Sequence, residues 1–161
     1  MPHSPAIRFA PFTGLGGAEL HDILKLRFDV FVLEQRSLYP EIDGQDPDAT
    51  HMIVDSGGVI VGTTRILNLI GGATNTTGDA ITIGRVAIAK PYRGQGLGRR
   101  MVQAALEHIA KTAADRPVTL GAQLHLEAFY ASLGFQRVSE IYDDGGIPHV
   151  DMTRPAQSDA I

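Results

Sequence analysis

The segment from Ile83 to Arg100 constrains this chain most, because a strand-like apolar run passes directly into a glycine-rich turn that opens a helix. Glycine adopts positive φ and lets the backbone approach a ligand closely, and we expect this of Gly94, Gly96 and Gly98. Such a turn leaves the first N–H groups of the next helix without partners. The sequence therefore predicts an anion site at the start of this helix.

Charge and spacing specify the anion further. The guanidinium groups of Arg93, Arg99 and Arg100 and the positive end of the helix dipole suit a doubly charged pyrophosphate. The turn lacks the GxGxxG register of dinucleotide-binding loops, and no Gly-Lys-Ser/Thr follows it. Arg-x-x-Gly-x-Gly is the pattern that remains.

Composition favours one α/β domain over residues 1–161, with a core at about 5–154 and a frayed tail at 155–161. The net charge of −4 predicts no general attraction to nucleic acid. The absence of cysteine excludes disulfides, and six scattered histidines without ligand spacing predict no metal site. We find no signal peptide and no apolar run that could span a membrane, so we expect a cytoplasmic protein.

Periodicity and turn residues predict alternating elements, which begin with a strand at 7–12, a helix at 18–34 and a polar loop at 35–50. A hairpin at 51–69 turns at Gly57-Gly58, and a second turn follows at 71–79. A strand at 81–89 leads into the glycine turn and a helix at 97–114. A strand at 118–120, a helix at 124–133 and strands at 135–141 and 148–152 complete the chain.

Two motifs in this order resemble those of the GNAT superfamily of N-acetyltransferases. Arg93-Gly-Gln-Gly-Leu-Gly98 is similar to motif A, and Phe129-Tyr130-x-x-x-Gly134-Phe135 is similar to motif B. The segments 26–35, 43–51, 120–125 and 146–149 narrow the resemblance to the ElaA subfamily. It implies the GNAT fold, a mixed, mostly antiparallel sheet with flanking helices and a splayed strand pair that binds acetyl-CoA.

The resemblance also implies direct acetyl transfer from acetyl-CoA to an amine. It places Tyr130 as the acid that protonates the thiolate or hydrogen-bonds the sulfur, and the backbone N–H of Ile88 as the donor to the thioester oxygen. A merely structural role for Tyr130 stays open, and Gln123 stands where the family usually has asparagine. The implied acetyl-CoA contacts are Val86, Ala87, Ile88, Arg93, Gly94, Gln95, Gly96, Leu97, Gly98, Arg99, Gln123 and Tyr130.

The general base is ambiguous, because Thr82, Gly84 and Arg85 occupy the strand on which many family members carry a glutamate. Glu34 is the leading candidate, since it ends the first predicted helix close to where acceptors lie in this fold. A solvated or structural role is open for each of the other candidates, which are Asp43, Asp46, His51, His125 and His149.

Three arginines raise a separate question. Arg65 and Arg85 interrupt apolar strands, and Arg27 shares one predicted helix face with Phe31 and Glu34. They form either an ion-pair network with Glu34, Asp43 and Asp46 that holds the 35–50 loop, or a pocket for a carboxylate of the acceptor. The predicted acceptor-binding residues are accordingly Arg27, Phe31, Glu34, Arg65 and Arg85.

Two other functions remain open. The set Arg27, Phe31, Asp43, Asp46, Arg65 and Arg85 resembles the charged signature of acyl-homoserine-lactone synthases, which share the GNAT fold. Those enzymes lack a well-formed Arg-x-x-Gly-x-Gly turn and carry a glutamate where this chain has Thr82. A non-catalytic acyl-CoA sensor is the second alternative. The acceptor is undetermined between a cationic amine and one that bears a carboxylate, and a homodimer through the C-terminal strands is possible.

Overall fold

Eight strands form one mostly antiparallel mixed sheet across residues 4–69 and 79–157, which a computed structural model describes. The strands lie in the order β1-β2-β3-β4-β5-β8-β6, and β7 pairs with β8. Their bounds are β1 Ala6–Pro11, β2 Thr50–Ser56, β3 Val59–Leu67, β4 Ile81–Ile88, β5 Val118–Gln123, β6 Gln136–Arg137, β7 Tyr142–Asp144 and β8 Ile147–Arg154. The α/β class and the mixed sheet predicted from the sequence are confirmed.

Three α-helices accompany the sheet in the described residues: α1 Gly17–Arg27, α2 Leu97–Ala113 and α3 Glu127–Ala131. A π-helix, Phe28–Glu34, continues α1 without a break. Short 3₁₀ turns lie at Phe12–Gly14, Asp46–Asp48, Lys90–Tyr92 and Leu124–Leu126. No helix in this part of the chain is both long and apolar enough to pass through a bilayer.

The first helix differs from the prediction of one α-helix over 18–34. Its α-helical part ends at Arg27, and the following turns have i+5 bonds, such as Gln35 N–H to the Val30 carbonyl at 3.0 Å. A π-helix has more residues per turn, so the α-helical spacing that aligned Arg27 with Glu34 does not hold. Arg27 is buried at 1% exposure, whereas the side chain of Glu34 is 39% exposed.

Smaller differences lie in the C-terminal third. The strand predicted at 135–141 pairs only at Gln136–Arg137, and the helix predicted at 124–133 begins as a 3₁₀ turn. The strand predicted at 118–120 extends to Gln123. Residues 71–78 of the turn predicted at 71–79 lie outside the described residues, as do residues 158–161 of the predicted tail. Within that tail, the N–H of Gln157 donates to the Ala114 carbonyl at 3.0 Å.

A β-bulge in β4 positions Arg85. Thr63 pairs with Ala87 and Arg65 pairs with Gly84, so β4 carries one residue more than β3 across this interval. Arg85 has φ +54°, which is unusual for a residue with a side chain. The extra residue shifts the alternation of the strand by one. Ile81 and Ile83, which precede the bulge, therefore lie in the hydrophobic core that contains α2. Val86 and Ile88, which follow the bulge, pack against the same core.

Strands β4 and β5 separate almost as soon as they meet. Their parallel pairing covers only Ile81 with Val118 and Thr82 with Thr119. β4 then continues to Ile88 and β5 to Gln123 without pairing to each other. The splayed strand pair that the resemblance implied is thereby confirmed, and it leaves an open seam in the middle of the sheet.

Candidate functional site

Two cavities meet at the seam between β4 and β5. The glycine-loop cavity, of about 450 Å³, is bounded by residues 92–94 and 96–99 among others, and the arginine cavity, of about 390 Å³, contains Arg65 and Arg85 in its wall. Six residues line both cavities: Phe31, Gln35, Val86, Gln123, Leu126 and Tyr130. A ligand in one cavity can therefore meet a ligand in the other beside Tyr130.

The glycine turn has the backbone geometry of an anion cradle. Gly94 and Gly96 have φ +73° and +81°, and a Cβ added to either would meet no atom within 4 Å. Gly96 is the N-cap of α2, and no side chain caps this helix end. Its first N–H groups are thus free to bind an anion, and Leu97 and Gly98 line the cavity. The positive φ expected of Gly98 is wrong, because this residue lies in the first turn of α2.

The arginines near this turn have different partners. Arg99 lines the cavity, donates to the Ser132 hydroxyl at 2.8 Å and lies over the Phe129 ring. Arg100 instead donates to the Pro5 carbonyl at 3.0 Å. Of these two, only Arg99 contributes a positive charge to the cavity wall.

Arg93 joins the glycine turn to the π-helix. Its two terminal nitrogens contact both carboxylate oxygens of Glu34, one of them at 2.9 Å, and its Nε donates to the Ile88 carbonyl at 2.9 Å. The hydrogen bond from Arg93 lowers the pKa of Glu34. Glu34 lies in the wall of neither cavity, which removes the geometric reason to regard it as the base. Its predicted pairing within the buried arginine network is also wrong.

The open edge of β4 presents backbone groups to the seam. The N–H of Ala89 donates to the Val61 carbonyl of β3 at 2.8 Å. Successive N–H groups of a strand point to opposite edges, so those of Val86 and Ile88 point away from β3 and toward the seam. Both residues line the glycine-loop cavity. Ala87 is buried against Leu26 and Val30 on the other face and lines neither cavity.

Tyr130 lies where the cavities join. Its ring packs edge-on against Phe129 and Phe135, and the residue is 6% exposed. Burial raises the pKa of Tyr130 to about 12. The phenol therefore keeps its proton at neutral pH and is a hydrogen-bond donor before it is an acid. Gln123 lies at the same junction and donates to the Gln35 side chain at 3.0 Å.

A buried ion network lies beside the arginine cavity and contributes Asp43, Arg65 and Arg85 to its wall. Arg27 contacts Glu41 and Asp46 at 2.5 and 2.7 Å, and Arg65 contacts Asp43 and Asp46 at 2.5 and 3.2 Å. Arg85 reaches Glu41 and Asp43, both at 3.3 Å, and lies 4.8 Å from the centre of the Tyr39 ring. The network therefore joins strands β3 and β4 and helix α1 to the 35–48 loop.

The network balances its own charge. Three guanidinium groups face three carboxylates, and Glu41 takes the place that the sequence assigned to Glu34. Burial would raise the pKa of Asp43, but hydrogen bonds from Arg65 and Gln45 outweigh it and hold that pKa far below its usual range. The same balance, with Arg27 as chief donor, lowers the pKa of Asp46. Charge compensation favours a structural network over a pocket for a substrate carboxylate.

The predicted base candidates are dispersed. Asp46 and His51 are buried outside both cavity walls, and the Nε2 of His51 bonds the Asp46 carbonyl at 2.9 Å. Burial lowers the pKa of His51. His125 lines the glycine-loop cavity, and Asp43 and His149 line the arginine cavity. Across residues 4–69 and 79–157, no group of three His, Asp or Glu side chains could hold a metal ion.

The cavity walls contain most of the predicted site residues. The exceptions are Arg27 and Ala87, which are buried, Glu34, and Gln95, whose side chain donates to the Pro91 carbonyl. Several polar wall residues follow no periodic pattern and were not predicted from the sequence: Gln35, Ser37, Tyr39, Gln45 and Asp144. Turn formers around Tyr39-Pro40 and Asp143-Asp144 marked these segments as loops without indicating that they face one cavity.

Comparison with known proteins identifies relatives along most of the chain. A family model described as an acetyltransferase (GNAT) domain matches residues 19–155. The chain is 37% identical to the protein ElaA of Escherichia coli over 142 residues, which cover 87% of this chain and 90% of that protein. The crystal structure of an acyl-CoA N-acyltransferase from Pseudomonas aeruginosa aligns with a TM-score of 0.86 and 35% identity, over 94% of this chain and 99% of the other.

The acyl-homoserine-lactone synthases are more distant. The AHL synthase LasI aligns with a TM-score of 0.74 but only 18% identity, over 94% of this chain and 89% of the other. A likeness at this level shows a shared fold alone.

The buried network generates a prediction about stability. Arg27→Met should lower the free energy of unfolding by about 3–5 kcal/mol, because it leaves buried carboxylates of Glu41 and Asp46 without their partner. Urea denaturation measures the change. Lys25→Met on the same helix removes only an exposed pair with Asp29 and should alter stability little. Equal effects of the two substitutions would contradict a structural role for the network.

Proposed function

Because this chain belongs to the GNAT acetyltransferase family and to its ElaA-like members, we propose that it transfers the acetyl group of acetyl-CoA directly to a primary amine, either of a small molecule or of an exposed amino group. The observation that carries the proposal is the junction of the two cavities at Tyr130. One cavity has an anion cradle and an open strand edge, and the other has a polar wall. Holding both reactants at one junction makes the transfer effectively intramolecular.

The residues of the glycine-loop cavity fit acetyl-CoA. Open space beside Gly94 and Gly96 and the uncapped start of α2 suit the pyrophosphate, and Arg99 adds a positive charge. The seam-facing backbone of Val86 and Ile88 suits the amide groups of the pantetheine arm, which would pair with β4 as an added strand. Arg93 holds this edge in place through the Ile88 carbonyl and is not itself a free phosphate ligand.

When bound, acetyl-CoA supplies the activated acyl group, so that an amide N–C bond forms, a C–S bond breaks, and the two protons lost by the ammonium end on the thiol and in solvent. The N–H of Ile88 points into the seam and is placed to donate to an oxygen that gains negative charge there. Tyr130 is placed to donate a hydrogen bond at the same junction. Its raised pKa favours this donor role over full proton transfer.

Two features of this chain favour acetyl transfer from acetyl-CoA over acyl-homoserine-lactone synthesis. The glycine turn is fully formed, with Gly94 and Gly96 at positive φ. Thr82 stands where those synthases carry a glutamate. Its hydroxyl forms a hydrogen bond with the Thr119 hydroxyl at 3.2 Å. A homodimer and a cytoplasmic location stay predictions.

Binding and turnover together test the function. Calorimetric titration with acetyl-CoA, CoA and S-adenosylmethionine should give binding of the first two alone. A thiol-release assay over a panel of primary amines should then give amine-dependent release of CoA. Binding without release for any amine would favour the sensor, and binding of S-adenosylmethionine would favour the synthase.

Gly96→Val tests the anion cradle. A branched side chain at this position projects into the open space of the cavity and should weaken acetyl-CoA binding by at least about tenfold in calorimetry. Positive φ also strains valine, and Gly58→Val in the β2–β3 turn is the matched control, since Gly58 has φ +87° and equally open surroundings. Gly58→Val should leave the dissociation constant unchanged. An equal loss of acetyl-CoA affinity in both variants would show that backbone strain, and not a blocked anion cradle, causes the effect.

Tyr130→Phe tests the hydroxyl at the junction. Phenylalanine keeps the packing against Phe129 and Phe135 and removes only the donor, so kcat should fall about 10- to 100-fold while the dissociation constant of acetyl-CoA stays within about twofold. Steady-state kinetics and calorimetry measure the two quantities. Weaker binding with an unchanged kcat would assign Tyr130 to packing.

A further inference from the structure

His149 is the titratable side chain of the arginine cavity whose geometry suits proton abstraction. It lies on β8 directly opposite Gln123, at the end of β5 where the two cavities join. Its Nδ1 lies 2.7 Å from the Ile147 carbonyl. A carbonyl can only accept, so Nδ1 carries the proton and Nε2 has a free lone pair when the ring is neutral. The ring also stacks on Tyr142, with the ring centroids 6.0 Å apart.

From this geometry we infer that His149 is the general base of the proposed acetyl transfer, and that its Nε2 takes the proton from the ammonium group of the acceptor. The inference rests on the proposed function. The proton leaves the acceptor nitrogen, whose electron pair becomes available for attack, and the imidazolium then releases the proton to solvent. Fixing of Nδ1 by a carbonyl is the usual way in which proteins orient a histidine for such a role.

Two rival bases, Glu34 and Asp43, have positions or partners that disqualify them. Glu34 is bound by Arg93 outside both walls, and Asp43 accepts hydrogen bonds from Arg65 that depress its pKa. Asp144, on the exposed β7–β8 hairpin, lines the same cavity and is the nearest competitor. Within the described residues, the Asp144 carboxylate has no anchor comparable to the Ile147 carbonyl, which holds the His149 ring through Nδ1. The fixed lone pair on Nε2 therefore favours His149 as the base.

Several charged or titratable groups surround His149 and enter any pH profile. Tyr142 and Asp144 come from β7, Tyr130 comes from α3 across the junction, and Asp151 follows on β8, where it accepts from the Tyr142 hydroxyl at 2.6 Å. The facing wall contributes Tyr39, Asp43, Arg65 and Arg85. The arginines are matched by carboxylates, so His149 and Asp144 are the two side chains that the variants must distinguish.

The kinetic test compares variants in the dependence of kcat/KM on pH. His149→Gln should lower kcat/KM about 10²- to 10⁴-fold at neutral pH and remove the acidic limb that we expect for the unmodified protein, with acetyl-CoA affinity unchanged. His149→Ala should regain activity on addition of imidazole. His21→Gln, at an exposed position of α1, should keep both the rate and the profile. Loss of the acidic limb in Asp144→Asn or Glu34→Gln, with the limb kept in His149→Gln, would overturn the assignment.

A measurement that needs no turnover separates this inference from the proposed function. Nitrogen-15 NMR of the ring in the unliganded protein should give the Nδ1–H tautomer for neutral His149, and an Nε2–H tautomer would contradict it. If no amine supports thiol release, the proposed function fails whatever the tautomer. If release occurs and His149→Gln keeps the unmodified profile, only the role of His149 fails.

Discussion

The early end of hydrogen bonding between β4 and β5 is the constraint on which the site depends. Beyond Thr82 and Thr119 the two parallel strands no longer pair with each other, so β4 has one free edge in the interior of the sheet. Such an edge is costly unless something pairs with it, because buried N–H and C=O groups need partners. The free edge and the two cavities on either side of Tyr130 are consequences of this one separation, and the glycine turn lies at the end of the same edge.

The bulge at Arg85 and the ion network shape one wall of the arginine cavity. The bulge turns Arg85 toward Glu41 and Asp43, and Arg27 and Arg65 complete a set of equal and opposite charges. Burial of such a set is tolerable only when every member is paired, and this requirement holds the 35–48 loop against β3 and β4. The loop then supplies Tyr39 and Gln45 to the cavity wall.

The elements with strong local signals could be predicted from the sequence. Glycine spacing located the turn and α2, and Gly57-Gly58 located the β2–β3 hairpin, because these conformations depend on a few adjacent residues. The bulge was missed, although Ile81 and Ile83 followed by Val86 and Ile88 show the one-residue change of phase. The π-helix was also missed. The partner of Glu34 is Arg93, which lies 59 residues away in the chain and follows no period, so local spacing could not identify it.

A crystal structure of the protein with acetyl-CoA would test most directly whether the seam between β4 and β5 binds the cofactor. We expect the pyrophosphate at the N–H groups of Leu97 and Gly98, the pantetheine arm paired with the free edge of β4, and the thioester oxygen at the N–H of Ile88. Acetyl-CoA bound away from the seam, or a seam closed by renewed pairing of β4 with β5, would contradict this expectation.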